Sequence, residues 1–399
     1  MKIELLSPAG NREKLNYAIH FGADAVYLAG KNFGLRAYAG NFDDEGLRQA
    51  VLYAHGFGRK VYVTVNIFAR NADFGGLTDY LAFLEDTGVD AVIVSDPGVV
   101  SLCAKKFPKL EIHLSTQANT TNKYSAAFWA DNGVRRIVLA RELKAEEIRE
   151  IRDFLPESVE LEAFVHGAMC ISYSGRCLLS NYLAHRDSNR GECVQACRWE
   201  YSLHEKSRPD NPLTVSEDDR GTYILNSKDL NLIRHLDKLA DAGVTSFKIE
   251  GRMKTAYYVA TVTNAYRQAI DSLEKGNFAV DDELYGELYK TAHRRFTTGF
   301  FTGDDDNVFL DDSATGQSYE FTAAVLGSDG RGLKVEQRNR FRKGDVLELL
   351  SPGRIAEFTA EEITTESGEP VEDAKLVQQK LYIKTDLKAS EFDVIRKKV

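Results

Sequence analysis

The sequence predicts an α/β fold: a closed parallel barrel of the TIM type, followed by a small antiparallel β-domain. Two observations predict the barrel. A phrase of helix, glycine and short apolar run recurs along residues 1–250, and eight apolar runs of strand length alternate with helical segments. A third observation predicts the second domain, because short strands separated by turn residues replace the helical spacing beyond about residue 316.

The glycine of the recurring phrase marks a helix end. The copies are FGADAVYLAG from residue 21, TGVDAVIVSD from 87, NGVRRIVLAR from 132 and AGVTSFKIEG from 242. A glycine after a helical pattern suits a left-handed C-cap, and the apolar run after it suits a buried strand. We therefore expect helix, cap and strand in each copy.

Four further runs complete the predicted barrel. They are IELLSPAG (3–10), KVYVTVN (60–66), EIHLSTQ (111–117) and VELEAFVHG (159–167). Strands that alternate with helices form parallel units, and eight of them favour closure. A doubly wound open sheet is the alternative. Its dinucleotide-binding form requires a G-x-G-x-x-G loop after the first strand, and this sequence has none there.

The predicted barrel domain spans residues 1–300, with a cysteine-rich insertion at 167–222 over the barrel mouth. Helices are expected at 254–294 and an acidic linker at 297–317. Residues 316–399 are predicted to form an antiparallel β-barrel from the runs YEFTAAVLG, GLKVEQ, DVLELL, IAEFTAEEI and KLYIKTD.

Composition restricts the class of protein. The chain is 43% apolar and 28% charged, which is typical of a globular protein. No run is long enough to span a membrane and the N-terminus lacks a secretory signal pattern, so we expect a cytoplasmic protein. The net charge of −9 is unusual for a nucleic-acid-binding protein. The basic segment RNRFRKG (338–344) is read either as a phosphate-contacting patch or as a solvated turn.

Polar side chains are expected to point into the barrel, because successive strand residues face opposite sides. The inward set is Tyr62, Thr64, Asn66, His113, Ser115, Gln117, Glu160, Glu162, Phe164, His166, Ser246, Lys248 and Glu250. Barrel interiors are normally filled by Val, Ile and Leu, so this polar lining indicates a functional site. A buried ion-pair network, for instance Lys248 with Glu162, is the structural alternative.

Active groups in such barrels lie at the carboxyl ends of the strands. This rule selects Asn66, Gln117, His166, Glu250, Arg252 and, in the loop after the second strand, Arg36. Arginine and lysine gathered at one mouth suit a ligand that bears a carboxylate or a phosphate.

Four of the five cysteines fall within 28 residues: Cys170, Cys177, Cys193 and Cys197. In a reducing compartment such a cluster indicates metal ligation or catalysis rather than disulfides. The C-x-x-C pairs of structural zinc sites are absent, and the irregular spacing suits an Fe-S cluster, with zinc and unliganded thiols as the alternatives. The fifth, Cys103, is expected to be a buried apolar residue.

The segment EAFVHGAMCISYSGRCLLS (162–180) resembles the signature of the collagenase-like peptidase U32 family. The stretches LLSPAGN, LRAYAGNF, NSKDL (226–230) and KIEGRMK (248–254) resemble further family landmarks. The resemblance covers the barrel from end to end, and the C-terminal region resembles the accessory domain. The fixed positions of the signature are Glu162, Phe164, Gly167, Ala168, Met169, Cys170, Gly175, Cys177, Leu179 and Ser180.

The resemblance implies a TIM-like barrel with a 4Fe-4S cluster that performs oxygen-independent hydroxylation. The branch most resembled converts the wobble uridine of tRNA to 5-hydroxyuridine, with prephenate as the hydroxyl source. By position, Cys170, Cys177 and Cys193 match cluster ligands, and Cys197 is expected to be the fourth, where family members differ. The other expected roles are prephenate or substrate binding for Arg36, Asn66, Gln117, Lys248 and Arg252, and proton transfer for Glu162, His166 or Glu250.

The expected macromolecular partner is the anticodon stem-loop of tRNA, with Arg338, Arg340, Arg342 and Lys343 on its backbone. Association with a second copy or with a family paralogue is also expected. Two other functions remain open at this point. One is a peptidase that uses Glu162 with His166, although H-E-x-x-H and G-x-S-x-G motifs are absent. The other is a non-catalytic RNA-binding or assembly factor, against which the polar interior counts.

Overall fold

The computed structural model describes residues 2–35, 40–170, 172–173, 177–196, 216–218, 221–223, 226–303, 308–309 and 316–399. The strands up to residue 309 are β1 (Glu4–Pro8), β2 (Ala25–Leu28), β3 (Lys60–Val65), β4 (Ala91–Val94), β5 (Glu111–Leu114), β6 (Arg136–Val138), β7 (Glu160–Ala168), β8 (Ser216–Asp218), β9 (Gly221–Tyr223), β10 (Asn226–Ser227), β11 (Asp229–Asn231), β12 (Ser246–Ile249), β13 (Phe296–Thr297) and β14 (Val308–Phe309). The helices are α1 (Arg12–His20), α2 (Asp44–Gly56), α3 (Phe74–Thr87), α4 (Pro97–Lys106), α5 (Lys123–Asp131), α6 (Ala145–Phe154), α7 (Leu179–Ala184), α8 (Leu236–Asp241), α9 (Ala256–Glu274) and α10 (Asp282–Glu287). None of the described helices combines the length and the apolar character needed to cross a membrane.

A closed parallel barrel forms the centre of the molecule. Its strands follow the order β12-β1-β2-β3-β4-β5-β6-β7, and β12 pairs in parallel with both β1 and β7. The helices that connect successive strands pack around the outside, as in other TIM barrels. The predicted barrel is therefore confirmed, and the open-sheet alternative is wrong.

The glycine of each recurring phrase adopts the expected left-handed conformation. Gly22, Gly88, Gly133 and Gly243 have φ angles of 94°, 79°, 92° and 92°. They follow α1, α3, α5 and α8 and precede β2, β4, β6 and β12. Because a side chain is strained in this conformation, glycine is the residue that allows the chain to turn here from the outer helix into the barrel.

The second region is an antiparallel sheet. The strands of this region are β15 (Tyr319–Asp329), β16 (Gly332–Gln337), β17 (Phe341–Arg342), β18 (Val346–Ser351), β19 (Arg354–Thr359), β20 (Ile363–Thr365), β21 (Asp373–Ala374), β22 (Lys380–Ile383) and β23 (Val394–Lys398). Of these, β17 and β21 form a separate pair outside the main sheet. The sheet order is β19-β18-β23-β15-β16-β22-β20, around a core that includes Val325, Leu349 and Ile383. The predicted antiparallel β-domain is confirmed, whereas its closure into a barrel stays a prediction, because the edge strands β19 and β20 do not pair with each other among the described residues. Its boundary and the linker stay predictions, because residues 304–307 and 310–315 lie outside the described residues.

Arg396 on β23 joins this sheet to the barrel. Its guanidinium lies 2.7 Å from Glu348 of the sheet and 2.8 Å from Glu287 of α10, and its side chain is fully buried. An apolar cluster beside it combines Tyr17 of α1 with Leu350 of β18. If the two regions moved apart, buried charges would lose their partners, which is energetically costly. The contacts of Arg396 therefore hold the two regions in this arrangement.

Candidate active site

A cavity of about 240 Å³ opens at the carboxyl ends of the barrel strands. Its walls come from the residues that follow β2, β3, β5, β6, β7 and β12 and from the described residues of 170–196, which we call the thiol segment. The thiol segment thus covers the barrel mouth, as expected from the sequence. This is the end at which TIM-barrel enzymes carry their active sites, and the volume is close to the lower limit of small-molecule sites.

Lys248 on β12 forms part of the cavity floor. Its ammonium nitrogen lies 2.7 Å from Oε1 of Glu162 and 4.6 Å from the centre of the Tyr27 ring, and the residue is only 3% exposed. Glu162 is fully buried and is not part of the cavity lining. Of this pair, Lys248 reaches the ligand space and Glu162 lies beneath it.

Glu162 belongs to an ion network in the amino-terminal half of the barrel. The network is centred on Arg136 of β6, which the sequence analysis did not single out. Arg136 donates to Glu4, Glu160 and Glu162, and Ser246 also donates to Glu4. The structural alternative, a buried ion-pair network, is therefore present below the cavity.

This network holds its carboxylates in the ionised form. Burial alone would raise the pKa of Glu162, but the charges of Lys248 and Arg136 more than offset that effect, and the pKa is lowered. Burial would also raise the pKa of Glu4, but the charge and hydrogen bonds of Arg136 outweigh burial, and the pKa is lowered. A carboxylate kept ionised in this way is a poor proton-transfer group near neutral pH. The geometry therefore supports a structural role for Glu162 rather than the predicted catalytic one.

Two amide side chains line the cavity, as expected. Asn66 accepts a hydrogen bond from the Leu35 N–H at 3.3 Å and donates to Ser115 at 3.4 Å. Gln117, in the 3-10 turn Thr116–Ala118, is 6% exposed, and its Oε1 is buried without a hydrogen-bond partner among the described residues. An unpaired buried acceptor costs about 1–3 kcal/mol. Gln117 is therefore placed to accept a hydrogen bond from a ligand.

Arg252 also lines the cavity but is engaged by the protein. It donates to Thr64 Oγ1 at 2.9 Å and to the carbonyl oxygen of Leu35, and it is 3% exposed. These bonds tie the loop after β12 to β3 and to the loop after β2. Arg36, the other arginine predicted at this mouth, lies outside the described residues.

Arg141 is a cavity residue that the sequence analysis missed. It follows β6, and its Nη1 donates to the carbonyl oxygen of Ala168 at 2.7 Å. The guanidinium lies 3.9 Å from the centre of the Phe164 ring, and Oε2 of Glu250 lies 3.9 Å from its Nη2. Its signal was present in the sequence, since NGVRRIVLAR places this arginine just beyond a strand end. Glu250, one of the predicted proton-transfer groups, lines the same cavity.

His166 does not line the cavity, and its predicted inward orientation is wrong. Lys248 pairs with Phe164 and Ile249 pairs with His166, so β7 has a bulge between these positions. The bulge reverses the alternation of the strand and turns His166 towards α9, where its ring lies 5.4 Å from that of Tyr266. Burial lowers the pKa of His166 to about 3 and keeps it neutral. The geometry does not support a catalytic role for His166.

The thiol segment is fastened to the loop after β3. Arg190 binds both carboxylate oxygens of Asp73, at 2.8 and 3.0 Å, and its hydrogen bonds lower the pKa of Asp73 to about 2. Ser188 and Asn189 both donate to the carbonyl oxygen of Cys177, at 2.6 and 3.1 Å. These contacts hold Cys177 beside the barrel mouth.

Three thiols share the cavity wall: Cys170, Cys177 and Cys193. The Cys193 sulfur accepts hydrogen bonds from Ser180 Oγ at 3.8 Å and from the backbone N–H of Gln195 at 3.4 Å. Cys170 keeps contact with solvent, yet the protein atoms packed around its thiol raise the pKa, and the other two thiols raise it further. The three thiols are therefore exposed to the same cavity.

Thiols are the donors that both Fe-S clusters and structural zinc sites use. Among the described residues, no group of three His, Cys, Asp or Glu side chains is placed to hold a metal ion. Thiols spaced around a cavity, with hydrogen bonds to sulfur, suit the larger cluster. Cys197, the predicted fourth ligand, lies outside the described residues.

The basic segment 338–344 is not an open positive patch. Each of its cations lies next to a carboxylate: Arg338 next to Glu13 and Glu336, Arg340 and Arg342 next to Asp373, and Lys343 next to Glu372. Four cations face four carboxylates, so the local charge does not favour phosphate. The structure therefore gives no support to the predicted tRNA-backbone contact at these residues.

Gly167 sets the direction of the chain at the start of the thiol segment. Its φ is +107°, and an added Cβ would lie 2.5 Å from the carbonyl oxygen of Glu250. We expect Gly167→Ala to destabilise the protein by about 1–3 kcal/mol, measured by urea unfolding, since both strain and a backbone clash result. Gly75→Ala in α3, where the added Cβ meets no atom within 4 Å, is the control. Equal stability of the two variants would contradict this role.

Comparisons with known proteins agree with the arrangement. Residues 10–308 match the model described as peptidase family U32, and residues 317–396 match the peptidase family U32 C-terminal domain. The chain is 42% identical over 404 residues to tRNA hydroxylation protein P1 of Bacillus subtilis, with 99% of this chain and 95% of that protein covered. It is 39% identical over 411 residues to tRNA hydroxylation protein P of Escherichia coli, with coverages of 92% and 90%. It is also 38% identical over 371 residues to the 23S rRNA 5-hydroxycytidine C2501 synthase of E. coli, with coverages of 90% and 54%.

Proposed function

The chain belongs to peptidase family U32, and on that premise we propose that it hydroxylates cytoplasmic tRNA. The observation that carries the proposal is the polar cavity at the barrel mouth, with three thiols on one wall and amides and cations on the others. Two relatives named for tRNA hydroxylation match more than nine-tenths of the chain, at 42% and 39% identity, and support the same activity.

The proposed substrate is the wobble uridine, converted at C5 to 5-hydroxyuridine. The relative named for 5-hydroxycytidine supports position 5 of a pyrimidine as the site of reaction. The base must leave its stack to enter the cavity. Exposed apolar side chains adjoin the cavity lining in sequence: Leu178 is 71% exposed and Met253 is 48% exposed. Such apolar side chains can pack against or between neighbouring bases.

The proposed hydroxyl source is prephenate, a dicarboxylate. Replacing C5–H by C5–OH oxidises the base by two electrons, so the donor must accept two electrons as it gives up the oxygen. The described lining carries three cations, Arg141, Lys248 and Arg252, and one carboxylate, Glu250. Glu162 beneath the lining compensates Lys248, and the excess of one cation that remains favours an anionic ligand.

A 4Fe-4S cluster is proposed on Cys170, Cys177 and Cys193, with Cys197 as the fourth ligand. When bound, the cluster would carry electrons during the reaction. Arg190 holds the thiol segment on the barrel through Asp73. Association with a second copy or a paralogue stays a prediction.

The geometry favours hydroxylation over the peptidase that the family name suggests. The cavity lining among the described residues contains thiols but no histidine, so it lacks the Cys–His pair that activates a thiol nucleophile. His166 faces α9 and Glu162 is bound to Lys248, so the pair considered for proteolysis is not formed. A purely structural RNA-binding role would leave the polar cavity and the unpaired Gln117 acceptor without a purpose.

Deletion of the gene tests the proposed reaction. We expect 5-hydroxyuridine and nucleosides made from it to disappear from tRNA hydrolysates analysed by mass spectrometry, in a strain that also lacks paralogues. The wild-type gene should restore the nucleoside, and the Cys103→Ala gene, altered at a buried cysteine in α4, should restore it equally. An unchanged 5-hydroxyuridine level in the deletion strain would show that the tRNA assignment is wrong.

A further inference from the structure

We propose that Arg141 binds a carboxylate of the small co-substrate through the Nε–Nη2 edge of its guanidinium. The inference rests on the proposed function, which supplies an anionic co-substrate, and it identifies the residue that binds it. The expectation from sequence was that Arg36, Lys248 and Arg252 would do so.

The cations of the described cavity lining differ in how far the protein already uses them. Lys248 makes a buried ion pair with Glu162 at 2.7 Å. Arg252 donates to Thr64 and to the carbonyl oxygen of Leu35. Arg141, whose side chain is 12% exposed, makes one short hydrogen bond within the described part of the chain, from Nη1 to the carbonyl oxygen of Ala168 at 2.7 Å, and a long contact of 3.9 Å with Glu250. Arg141 is therefore the cation best able to accept a new anionic partner.

The remaining edge of Arg141 matches a carboxylate. Nε is buried without a hydrogen-bond partner among the described residues, and the nearest carboxylate oxygen, in Glu250, lies 3.9 Å from Nη2, beyond hydrogen-bonding distance. Nε and Nη2 of a guanidinium point the same way and bind the two oxygens of a carboxylate in parallel. Stacking on Phe164 at 3.9 Å and the bond to Ala168 hold the group in this orientation before a ligand arrives.

The position also suits a hydroxy acid. Gln117 lines the same cavity from the loop after β5, next to the β6 loop that carries Arg141, and its unpaired Oε1 can accept an O–H. Arg141 is bonded to the carbonyl oxygen of Ala168, two residues before Cys170, and both Arg141 and Cys170 line the cavity. A ligand with a carboxylate on Arg141 would therefore lie beside the thiol wall, with its hydroxyl group within the cavity.

Calorimetric titration of prephenate into anaerobically purified full-length protein tests the inference. We expect Arg141→Met to weaken prephenate binding by about 10- to 100-fold, since hydrogen bonds to a charged group are lost. Arg141→Lys, which keeps the charge but loses the parallel bonds, should give an intermediate affinity. In hydroxylation assays Arg141→Met should raise the KM for prephenate and leave the KM for tRNA unchanged.

Arg149→Met is the control. It removes an exposed arginine from α6, the helix that follows the loop carrying Arg141, and the variant should bind prephenate like the wild type. Thermal unfolding of each variant checks that it is folded, and Arg141→Lys gives a second measurement if the methionine variant is not. Equal prephenate affinity in wild type, Arg141→Met and Arg141→Lys would overturn the inference and leave the proposed function intact. A wild-type protein that hydroxylates tRNA but binds no prephenate would overturn both the inference and the proposed co-substrate.

Discussion

Replacing Cys170 by alanine is expected to lower tRNA hydroxylation by more than about 100-fold. Loss of a hydrogen bond that supports a metal ligand typically lowers metal affinity or activity by about 10- to 100-fold, and loss of the ligand itself should lower it further. Cys170, Cys177 and Cys193 line one wall of the cavity, so the loss of one sulfur leaves an incomplete ligand set. The iron content of anaerobically purified Cys170→Ala protein should fall with the activity. Both quantities are measured on the same preparation, so loss of the cluster is separated from a purely catalytic defect.

Cys103→Ala is the matched control. This cysteine is fully buried in α4, away from the thiol segment, and burial raises the pKa of its thiol to about 12. Its replacement should leave iron content and hydroxylation at the wild-type level. Full iron content in the Cys170→Ala protein, or equal iron loss in both variants, would contradict the assignment of Cys170 as a cluster ligand.

Replacing Arg136 by methionine is expected to lower the free energy of unfolding by about 3–5 kcal/mol. Arg136 is 3% exposed and donates to Glu4, Glu160 and Glu162. Its loss leaves the largely buried Glu4 without its cation, and leaves Glu162 with Lys248 alone. Total stabilities are usually about 5–15 kcal/mol, so the loss is a large share. Urea unfolding at pH 7 measures it.

The exposed neighbour Arg135 provides the control, and Arg135→Met should change stability by less than about 0.5 kcal/mol. The pH dependence gives a second readout. Glu4 and Glu162 have lowered pKa values in the folded protein. Their contribution to the free energy of unfolding is therefore present above the unfolded pKa of about 4.3 and is lost as the pH falls through the folded pKa values. Without Arg136 these carboxyl groups can take up protons, so the deficit of Arg136→Met should shrink as the pH is lowered from 7 towards 5. A deficit that is small, or independent of pH, would contradict this role of Arg136.

The barrel was predictable because its signals are local. A glycine such as Gly133 is favoured where a helix ends in a left-handed residue, and the short apolar run that follows favours a buried strand. The inward position of Lys248 follows from simple alternation along β12. Each of these inferences depends on a few neighbouring residues, which the sequence displays directly.

His166 shows where such reasoning fails. Alternation along β7 places it inside the barrel, but the register of β7 against β12 skips one residue. The skip depends on the pairing of two strands about 80 residues apart, and nothing within VELEAFVHG indicates it. The strand β23 was missed for a related reason: Arg396 and the lysines after it are typical of a surface, whereas Glu287 and Glu348 bury the arginine.

The charged residues of the site depend on partners in the same way. Arg136 and Arg141 belong to one recurring phrase, yet the first is enclosed by carboxylates and the second keeps an unpaired Nε among the described residues. Arg340 was predicted to contact tRNA but is bound to Asp373 at 2.6 Å. The sequence identifies the cations, whereas only the fold shows which of them have a carboxylate within hydrogen-bonding distance.

The metal and sulfide content of the wild-type chain, purified without oxygen, tests the central claim most directly. We expect about four iron atoms and about four acid-labile sulfides per chain, held by the thiol segment over the polar cavity. Stoichiometric zinc without sulfide, or full hydroxylation activity in protein that holds neither iron nor sulfide, would contradict it.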